Sequence, residues 1–198
     1  MIEVRSICKN FGEVRAVRDL SFAAERGEIF GILGPNGAGK STTIKMILNI
    51  LAPDSGSILL NGTHLGEKEK NNIGYLPEER GLYRKVKINE ILLYLASLKN
   101  ANPRRSEKRL DEWLDRFDLA QWKKRTPETL SWGMAQKIQF IASILHNPEF
   151  LFLDEPFSGL DPISTDMLRE AILDLGKEGK TILYMDSLKS STGGKSLP

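Results

Sequence analysis

The sequence predicts an α/β fold with a mainly parallel central sheet, an N-terminal antiparallel β subdomain and an inserted α-helical subdomain. Three observations lead to the prediction of a parallel sheet and a helical subdomain. A glycine-rich loop at 34–42 joins an apolar run to an amphipathic helix, and apolar stripes at helical spacing fill 87–126. A second apolar run, at 150–153, ends in two acids. Buried strands that alternate with helices are typical of parallel sheets.

Composition limits the classes of function. The 198 residues, 40% hydrophobic and 27% charged, fit one soluble globular domain. The net charge of +2 gives no case for a nucleic-acid partner. No apolar run approaches the roughly 18 residues of a membrane span, and residues 1–10 lack the apolar core of a signal peptide. Cys8 is the single cysteine, so an internal disulfide is excluded and a reducing cytosol is expected.

The N-terminal region reads as short strands separated by turns. The strand-like runs are 2–4, 13–17, 20–22 and 29–30. Phe11 stands beside Gly12 at one of these turns. An aromatic residue there could stack on a nucleotide base or simply pack, and spacing alone leaves both readings open.

The glycine-rich loop has the pattern G-x-x-x-x-G-K-S, which is typical of phosphate-binding loops. Its residues are Gly34, Pro35, Asn36, Gly37, Ala38, Gly39, Lys40, Ser41 and Thr42. Gly37 and Gly39 lack a Cβ, so backbone N–H groups can approach phosphate oxygens closely. We expect Lys40 to meet the terminal phosphates and the Ser41 hydroxyl to bind Mg²⁺.

A helix should follow the loop, because apolar residues recur at i, i+3, i+4 and i+7. These residues are Ile44, Ile47, Leu48 and Leu51. The Pro-Asp-Ser-Gly segment at 53–56 is predicted to end this helix. Short strands are then expected at 57–60 and 73–77, and the charged residues at 78–80 form either a solvated loop or one that reaches toward bound metal and phosphate.

Two helical stripes follow, separated by Asn102 and Pro103. The first contains Ile88, Ile91, Leu92 and Leu95, and the second contains Leu110, Trp113, Leu114 and Phe117. Trp113 and Trp122 are interpreted as packing residues.

Further on, Ser131 stands just before the helical face of Met134, Ile138, Ile141 and Leu145, which predicts an N-cap. This helix start, with Ser131 and Gly133, is a second possible anion site.

The apolar run at 150–153 predicts a fully buried strand, and Asp154 and Glu155 follow at its carboxyl end. Ligands bind at this edge of open parallel sheets. We expect Asp154 to hold Mg²⁺ together with Ser41, and Glu155 to polarise a water toward the γ-phosphate. The alternative is a solvated pair of acids.

These three motifs, in this order, resemble the ATP-binding subunit of ABC transporters. They are the phosphate loop, Leu130-Ser131-Trp132-Gly133 and Leu153-Asp154-Glu155-Pro156, and the resemblance covers about 1–185. Residues 73–83 are most similar to bacterial sodium- or drug-export subunits. The resemblance implies a P-loop NTPase domain at 1–187 with a helical subdomain at about 87–146. Residues 188–198, rich in Ser, Gly and Lys, are expected to be a disordered tail.

The resemblance also implies roles for individual positions. Phe11 matches the aromatic that stacks on adenine, 34–42 match the Walker A loop, and Glu78 matches the Q-loop residue that senses Mg²⁺ and the membrane partner. Residues 131–136 match the signature that contacts the γ-phosphate held by a second subunit. Asp154 matches the Walker B metal ligand, Glu155 the catalytic base, and 158–161 the D-loop.

The implied assembly is a head-to-tail dimer that sandwiches two ATP molecules. ATP and Mg²⁺ are the implied cofactors, and the helical subdomain would pass motion to a polytopic membrane permease. The chain would lie at the cytoplasmic face of the membrane and drive export. A soluble role in translation or DNA repair ranks last, because such proteins usually carry paired ATP domains or long coiled-coil insertions.

The chain departs from the family pattern at several positions. Glu78 replaces a glutamine, Trp132 replaces a small or flexible residue, and Ser187 stands where the family has a histidine that touches the γ-phosphate. Serine cannot carry the positive charge of an imidazolium. We therefore also consider a nucleotide-binding subunit that is impaired in hydrolysis. The loss of pattern after about Tyr184 leads to the hypothesis that the chain is truncated or altered there.

Overall fold

The computed structural model describes residues 1–79, 81 and 85–187. Its strands are β1 (Ile2–Phe11), β2 (Val14–Ala24), β3 (Ile29–Gly34), β4 (Ser55–Leu60), β5 (Ile73–Leu76), β6 (Phe150–Asp154) and β7 (Thr181–Ser187). Its α-helices are α1 (Lys40–Ile47), α2 (Ile88–Leu98), α3 (Pro103–Arg116), α4 (Trp132–Ile144) and α5 (Pro162–Lys177). Short 3₁₀ turns lie at Glu69–Asn72, Ala120–Trp122 and Pro127–Thr129. The predicted disordered tail at 188–198 and Arg80 lie outside the described residues.

The N-terminal sheet is antiparallel, with the strand order β2-β1-β4. Ile2 of β1 pairs with Ala24 on one side and with Leu60 on the other. The runs predicted at 13–17 and 20–22 are one strand, because β2 stays paired with β1 along its length. Asp19 lies within it at a φ of 42°, and shifts in register accommodate the irregularity.

The second sheet is parallel, with the strand order β3-β7-β6-β5. Parallel strands end at the same edge, so the loop after β3 and the acids at the end of β6 are brought together. Within the described residues, β3 pairs with β7 only, so β3 is an edge strand, and its Leu33 is 50% exposed.

Strand β6 is buried on both faces, as its apolar run predicts. Phe150 and Phe152 pack into the core between the two sheets and α1. Leu151 and Leu153 point into the opposite core, which is shared with helices from α2 to α5. The predicted helical insertion therefore packs directly against one face of the parallel sheet, and its description as a separate subdomain remains a prediction.

Helix α1 ends earlier than predicted. Leu48 caps it, and Asn49 adopts a left-handed conformation with a φ of 52°. The N–H groups of Ile50 and Leu51 both donate to the carbonyl of Lys45, at 2.9 and 3.1 Å. This closed turn satisfies the Lys45 carbonyl near the end of the helix. The prediction that the helix extends to 53–56 is therefore wrong.

The helical segment begins and packs as its sequence predicts. Asn102 caps α3 by accepting a hydrogen bond from the Arg105 N–H at 3.1 Å, and Pro103 follows at the first helical position. Trp113 packs against Phe117 and Phe140, with ring centroids 5.7 and 6.1 Å away. None of the helices among the described residues is both long and apolar enough to cross a membrane.

Candidate active site

The glycine-rich loop forms the turn between β3, which ends at Gly34, and α1, which begins at Lys40. Gly37 and Gly39 both have left-handed backbones, with φ of 81° and 82°. A Cβ on Gly39 would lie 2.2 Å from the Ala16 carbonyl oxygen, whereas a Cβ on Gly37 would meet nothing within 4 Å. Gly39 is thus required by both its conformation and its close approach to β2. The helix start presents free backbone N–H groups to the site.

The Lys40 side chain folds back over this loop and is only 7% exposed. Its ammonium group donates to the carbonyls of Gly34 and Pro35, at 3.0 and 3.1 Å. It also lies 3.4 Å from the Glu155 Oε1 atom. The loop therefore holds a buried cation at the point where the sequence predicts terminal phosphates.

Asp154 ends β6 and is 1% exposed. Burial raises the pKa of its carboxyl, and the hydrogen bond from the Ser41 hydroxyl acts in the opposite direction. The negative charges of Glu78 and Glu155 raise this pKa further. Within the described residues, its Oδ1 atom is buried without a hydrogen-bond partner. The unsatisfied carboxylate oxygen of Asp154 and the neighbouring Ser41 hydroxyl are together suitable ligands for a small divalent cation.

The described residues contain no group of three or more His, Cys, Asp and Glu side chains that could hold a metal on their own. Magnesium does not need such a cage, because it usually keeps several waters and binds one or two protein ligands plus substrate phosphates. Ser41 and Asp154 therefore fit Mg²⁺ bound jointly with a phosphate ligand.

Glu155 adopts a left-handed backbone, with a φ of 52°. Its N–H donates to the Met185 carbonyl at 2.8 Å, and its Oε2 atom accepts from the Ser187 hydroxyl at 3.0 Å. Burial raises the pKa of its carboxyl, but hydrogen bonds with Asp186, Ser187 and Lys40 together lower it below the ordinary value. Glu155 is therefore held as a carboxylate that points at the phosphate loop.

Lys40, Ser41 and Glu155 line one cavity of about 390 Å³. The predicted site residues that line it are Asn36, Gly37, Gly39, Lys40, Ser41, Thr42, Glu78 and Glu155. Val14, Arg15 and Ala16 of β2 also line it, and sequence reasoning assigned them no role. These residues reach the loop through tertiary packing. The only feature of the sequence that points to them is a basic residue, Arg15, close to a turn.

Seven predicted site residues are not among those that line this cavity: Gly34, Pro35, Ala38, Asp154, Phe11, Ser131 and Gly133. Gly34, Pro35 and Ala38 belong to the loop itself, and Asp154 is hydrogen-bonded to Ser41 of the loop. Phe11 is 51% exposed at the end of β1, with the Lys9 ammonium 5.9 Å from its ring centroid. Ser131 caps α4 as predicted, accepting from the Met134 N–H at 3.3 Å. Gly133 follows on the first turn of α4. Within a single chain, Ser131 and Gly133 therefore form a surface separate from the phosphate loop.

Comparison with known proteins identifies similar chains. A family model described as "ABC transporter" matches residues 17–158. The ABC transporter ATP-binding protein YhaQ of Bacillus subtilis, itself described as uncharacterized, is 46% identical over 184 residues, which are 93% of this chain and 62% of that relative. The chain spans less than two thirds of the length of the curated relatives that it matches first.

Solved structures share the fold. One described as the ATP-binding subunit of an ABC transporter has a TM-score of 0.86 and 32% identity, covering 96% of this chain and 80% of the other. The dimeric structure of MJ0796, described as a bacterial ABC transporter cassette, has a TM-score of 0.83 and 22% identity, covering 94% of this chain and 88% of the other. The second likeness concerns the fold alone.

Proposed function

Because the chain belongs to the ABC transporter family, as one of its ATP-binding subunits, we propose that it binds Mg-ATP and hydrolyses it to drive export through a separate membrane subunit. The observation that carries this proposal is the convergence of Lys40, Asp154 and Glu155 on one glycine-lined loop. A cation for phosphate, a ligand for the metal and a base for water are the three groups that phosphoryl transfer to water requires.

Each residue has a proposed part in the reaction. ATP binding places phosphate oxygens against the loop N–H groups and the Lys40 ammonium, which must then give up its contact with Glu155. Ser41 and Asp154 would hold Mg²⁺, which neutralises charge on the phosphates. The released Glu155 carboxylate orients a water and accepts its proton. The hydrogen bonds that lower the pKa of Glu155 keep it ionised for that task.

The proposed hydrolysis needs a second subunit. Ser131 and Gly133 lie outside the cavity of their own chain, and the start of α4 offers backbone N–H groups to an anion from elsewhere. In a head-to-tail dimer, this helix start would meet the γ-phosphate bound by the partner. The solved MJ0796 cassette, which shares the fold, is described as dimeric, and this supports the proposal of a dimer.

A membrane subunit is the proposed second partner, and an apolar groove is the proposed docking surface. The groove has a volume of about 380 Å³ and lies between the end of α1, β5, α2 and α4. Ile50, Tyr94 and Leu98 lie at or near this groove and are 63%, 54% and 57% exposed. Exposed apolar residues around a groove are typical of a surface that binds another protein. Such docking would place the chain at the cytoplasmic face of the membrane.

The test of this function is the Glu155→Gln variant. We expect the amide to preserve ATP binding, to reduce steady-state hydrolysis at least about a hundredfold and to accumulate an ATP-dependent dimer. Glu170→Gln, an exposed carboxylate on α5, is the matched control and should behave as the parent. Equal turnover in the parent and in Glu155→Gln would remove Glu155 from the mechanism.

One observation favours a second function, a nucleotide-binding subunit with impaired hydrolysis. Ser187 contacts Glu155 with a hydroxyl, which cannot supply positive charge to the transition state. This alternative predicts tight ATP binding with almost no turnover. Measuring ATP affinity and turnover on the same sample separates the two functions.

A further inference from the structure

The indole of Trp132 lies across the loop that follows Glu155. Its Nε1–H donates to the Ser158 carbonyl at 3.4 Å. A Cβ on Gly159 would lie 2.2 Å from the same nitrogen, so the ring packs directly on the backbone of this glycine. Only a glycine at 159 permits this approach, and its φ of 70° also favours glycine. The outer part of the indole remains in solvent, and Trp132 as a whole is 60% exposed.

The beginning of α4 contacts this loop at two further points. The Gln136 side-chain amide donates to the Pro156 carbonyl at 3.0 Å, in a buried position. A Cβ built on Gly133 would lie 3.6 and 3.7 Å from Leu160 and Asp161, which is ordinary van der Waals contact. The first turns of α4 and residues 156–161 therefore form one packed unit.

The loop in turn holds Glu155. The Ser158 N–H donates to the Glu155 carbonyl at 3.1 Å. The left-handed backbone of Glu155 is a conformation that costs a non-glycine residue free energy, so it persists only where the surroundings fix it. A continuous path of contacts thus runs from Trp132 through Ser158 to the backbone of the proposed base.

We propose that Trp132 is a positioning residue for Glu155, acting through the loop at 156–161. This inference rests on the proposed function, in which Glu155 is the base and the start of α4 binds the γ-phosphate of the partner. An anion at Ser131 and Gly133 would be bound next to Trp132, so the loop and Glu155 would respond to the neighbouring nucleotide. Coupling between two sites is reciprocal. Loss of the Trp132 contact would therefore weaken the effect of the neighbouring nucleotide on Glu155, and equally the effect of Glu155 on the binding of that nucleotide.

Two substitutions in the full chain test the role of Trp132 in hydrolysis. Trp132→Phe keeps an aromatic ring but removes the N–H donor, and Trp132→Ala removes both. We expect kcat to fall about threefold and about tenfold, respectively, with KM for ATP within about twofold of the parent. The matched control is Ile163→Ala, which removes another exposed apolar side chain, 75% exposed, at the start of α5. It should leave kcat unchanged.

A merely structural role for Trp132 would give a different pattern. It would lower the melting temperature in step with activity, whereas we expect the melting temperature to stay within a few degrees, as for a partly exposed side chain. Unchanged kcat in Trp132→Ala, or a loss of activity explained entirely by unfolding, would overturn the proposal.

Amide hydrogen exchange provides a readout that does not depend on hydrolysis. We expect faster exchange at 157–161 in Trp132→Ala than in the parent, and no change in Ile163→Ala. If the parent fails to hydrolyse ATP, the proposed function is wrong, but the exchange result still shows whether Trp132 holds the loop. Unchanged exchange in Trp132→Ala would refute the contact, and faster exchange with unchanged kcat would refute positioning.

Discussion

His146 gives the fold a dependence on pH that can be calculated from its surroundings. Its Nε2 atom lies 3.0 Å from the Ile73 carbonyl oxygen, which the neutral imidazole can meet as a donor. Burial lowers the pKa of this imidazole to about 4, and the positive charges of Lys99, Lys180 and Arg109 lower it further, whereas the contact with Ile73 raises it. In the unfolded chain the pKa returns to about 6.5.

The sign and size of the effect follow from this difference. Above pH 6.5 the imidazole is neutral in both states, but between pH 6.5 and 4 only the unfolded chain binds the proton, so stability falls as the pH falls. The whole window corresponds to about 3 kcal/mol, of which about 2 kcal/mol should already be lost at pH 5. His146→Gln removes this term, because glutamine does not titrate and can still donate to Ile73.

The assay is urea unfolding of the parent and the variants at pH 7 and pH 5. We expect the parent to lose about 2 kcal/mol more than His146→Gln between these pH values. His64 is exposed, so His64→Gln is the matched control and should lose as much as the parent. Equal losses in the parent and in His146→Gln would refute the assignment of a low pKa to this partly buried imidazole.

Two further predictions concern the phosphate loop. Gly39→Ala and Gly37→Ala both place a side chain on a left-handed backbone, but only residue 39 collides with Ala16, so Gly39→Ala should destabilise the protein by about 1–3 kcal/mol more. Thermal unfolding of both variants measures the difference, and equal melting temperatures would contradict the close approach of residue 39 to Ala16. Ser41→Ala should weaken the Mg²⁺ dependence of ATP affinity about tenfold or more, whereas Ser41→Thr retains the hydroxyl and should resemble the parent. Titration of ATP with and without Mg²⁺ checks this, and an equal Mg²⁺ dependence in Ser41→Ala and parent would exclude Ser41 as a ligand.

The sequence was most informative where local chemistry and tertiary position agree. The apolar run of β6 can be buried only as an inner strand, so its acids had to emerge at the edge of the sheet. The N-cap at Ser131 was equally predictable, because a serine immediately before an apolar helical face satisfies the first N–H groups. The loop at 34–42 is also largely determined by its own glycines and lysine.

Other features depended on contacts between distant parts of the chain. The left-handed turn at Asn49 ends α1, and no glycine or proline at this point of the sequence predicts it. The two runs in β2 form one strand only because β1 pairs with both, and this pairing carries Arg15 to the cavity. The contact of Trp132 with Ser158 joins residues 26 positions apart, so periodicity could not reveal it.

The position of β3 at the edge of the parallel sheet has a practical consequence for experiments on the isolated chain. Within the part of the chain that the structure describes, β3 has a strand partner on one side only, and its outer edge, next to the half-exposed Leu33, is a template to which another extended polypeptide can add. Concentrated samples should therefore self-associate through cross-chain β-sheet extension, with or without nucleotide. Only association that requires ATP would report the proposed head-to-tail dimer, so light-scattering measurements of assembly need a nucleotide-free baseline at matched concentration.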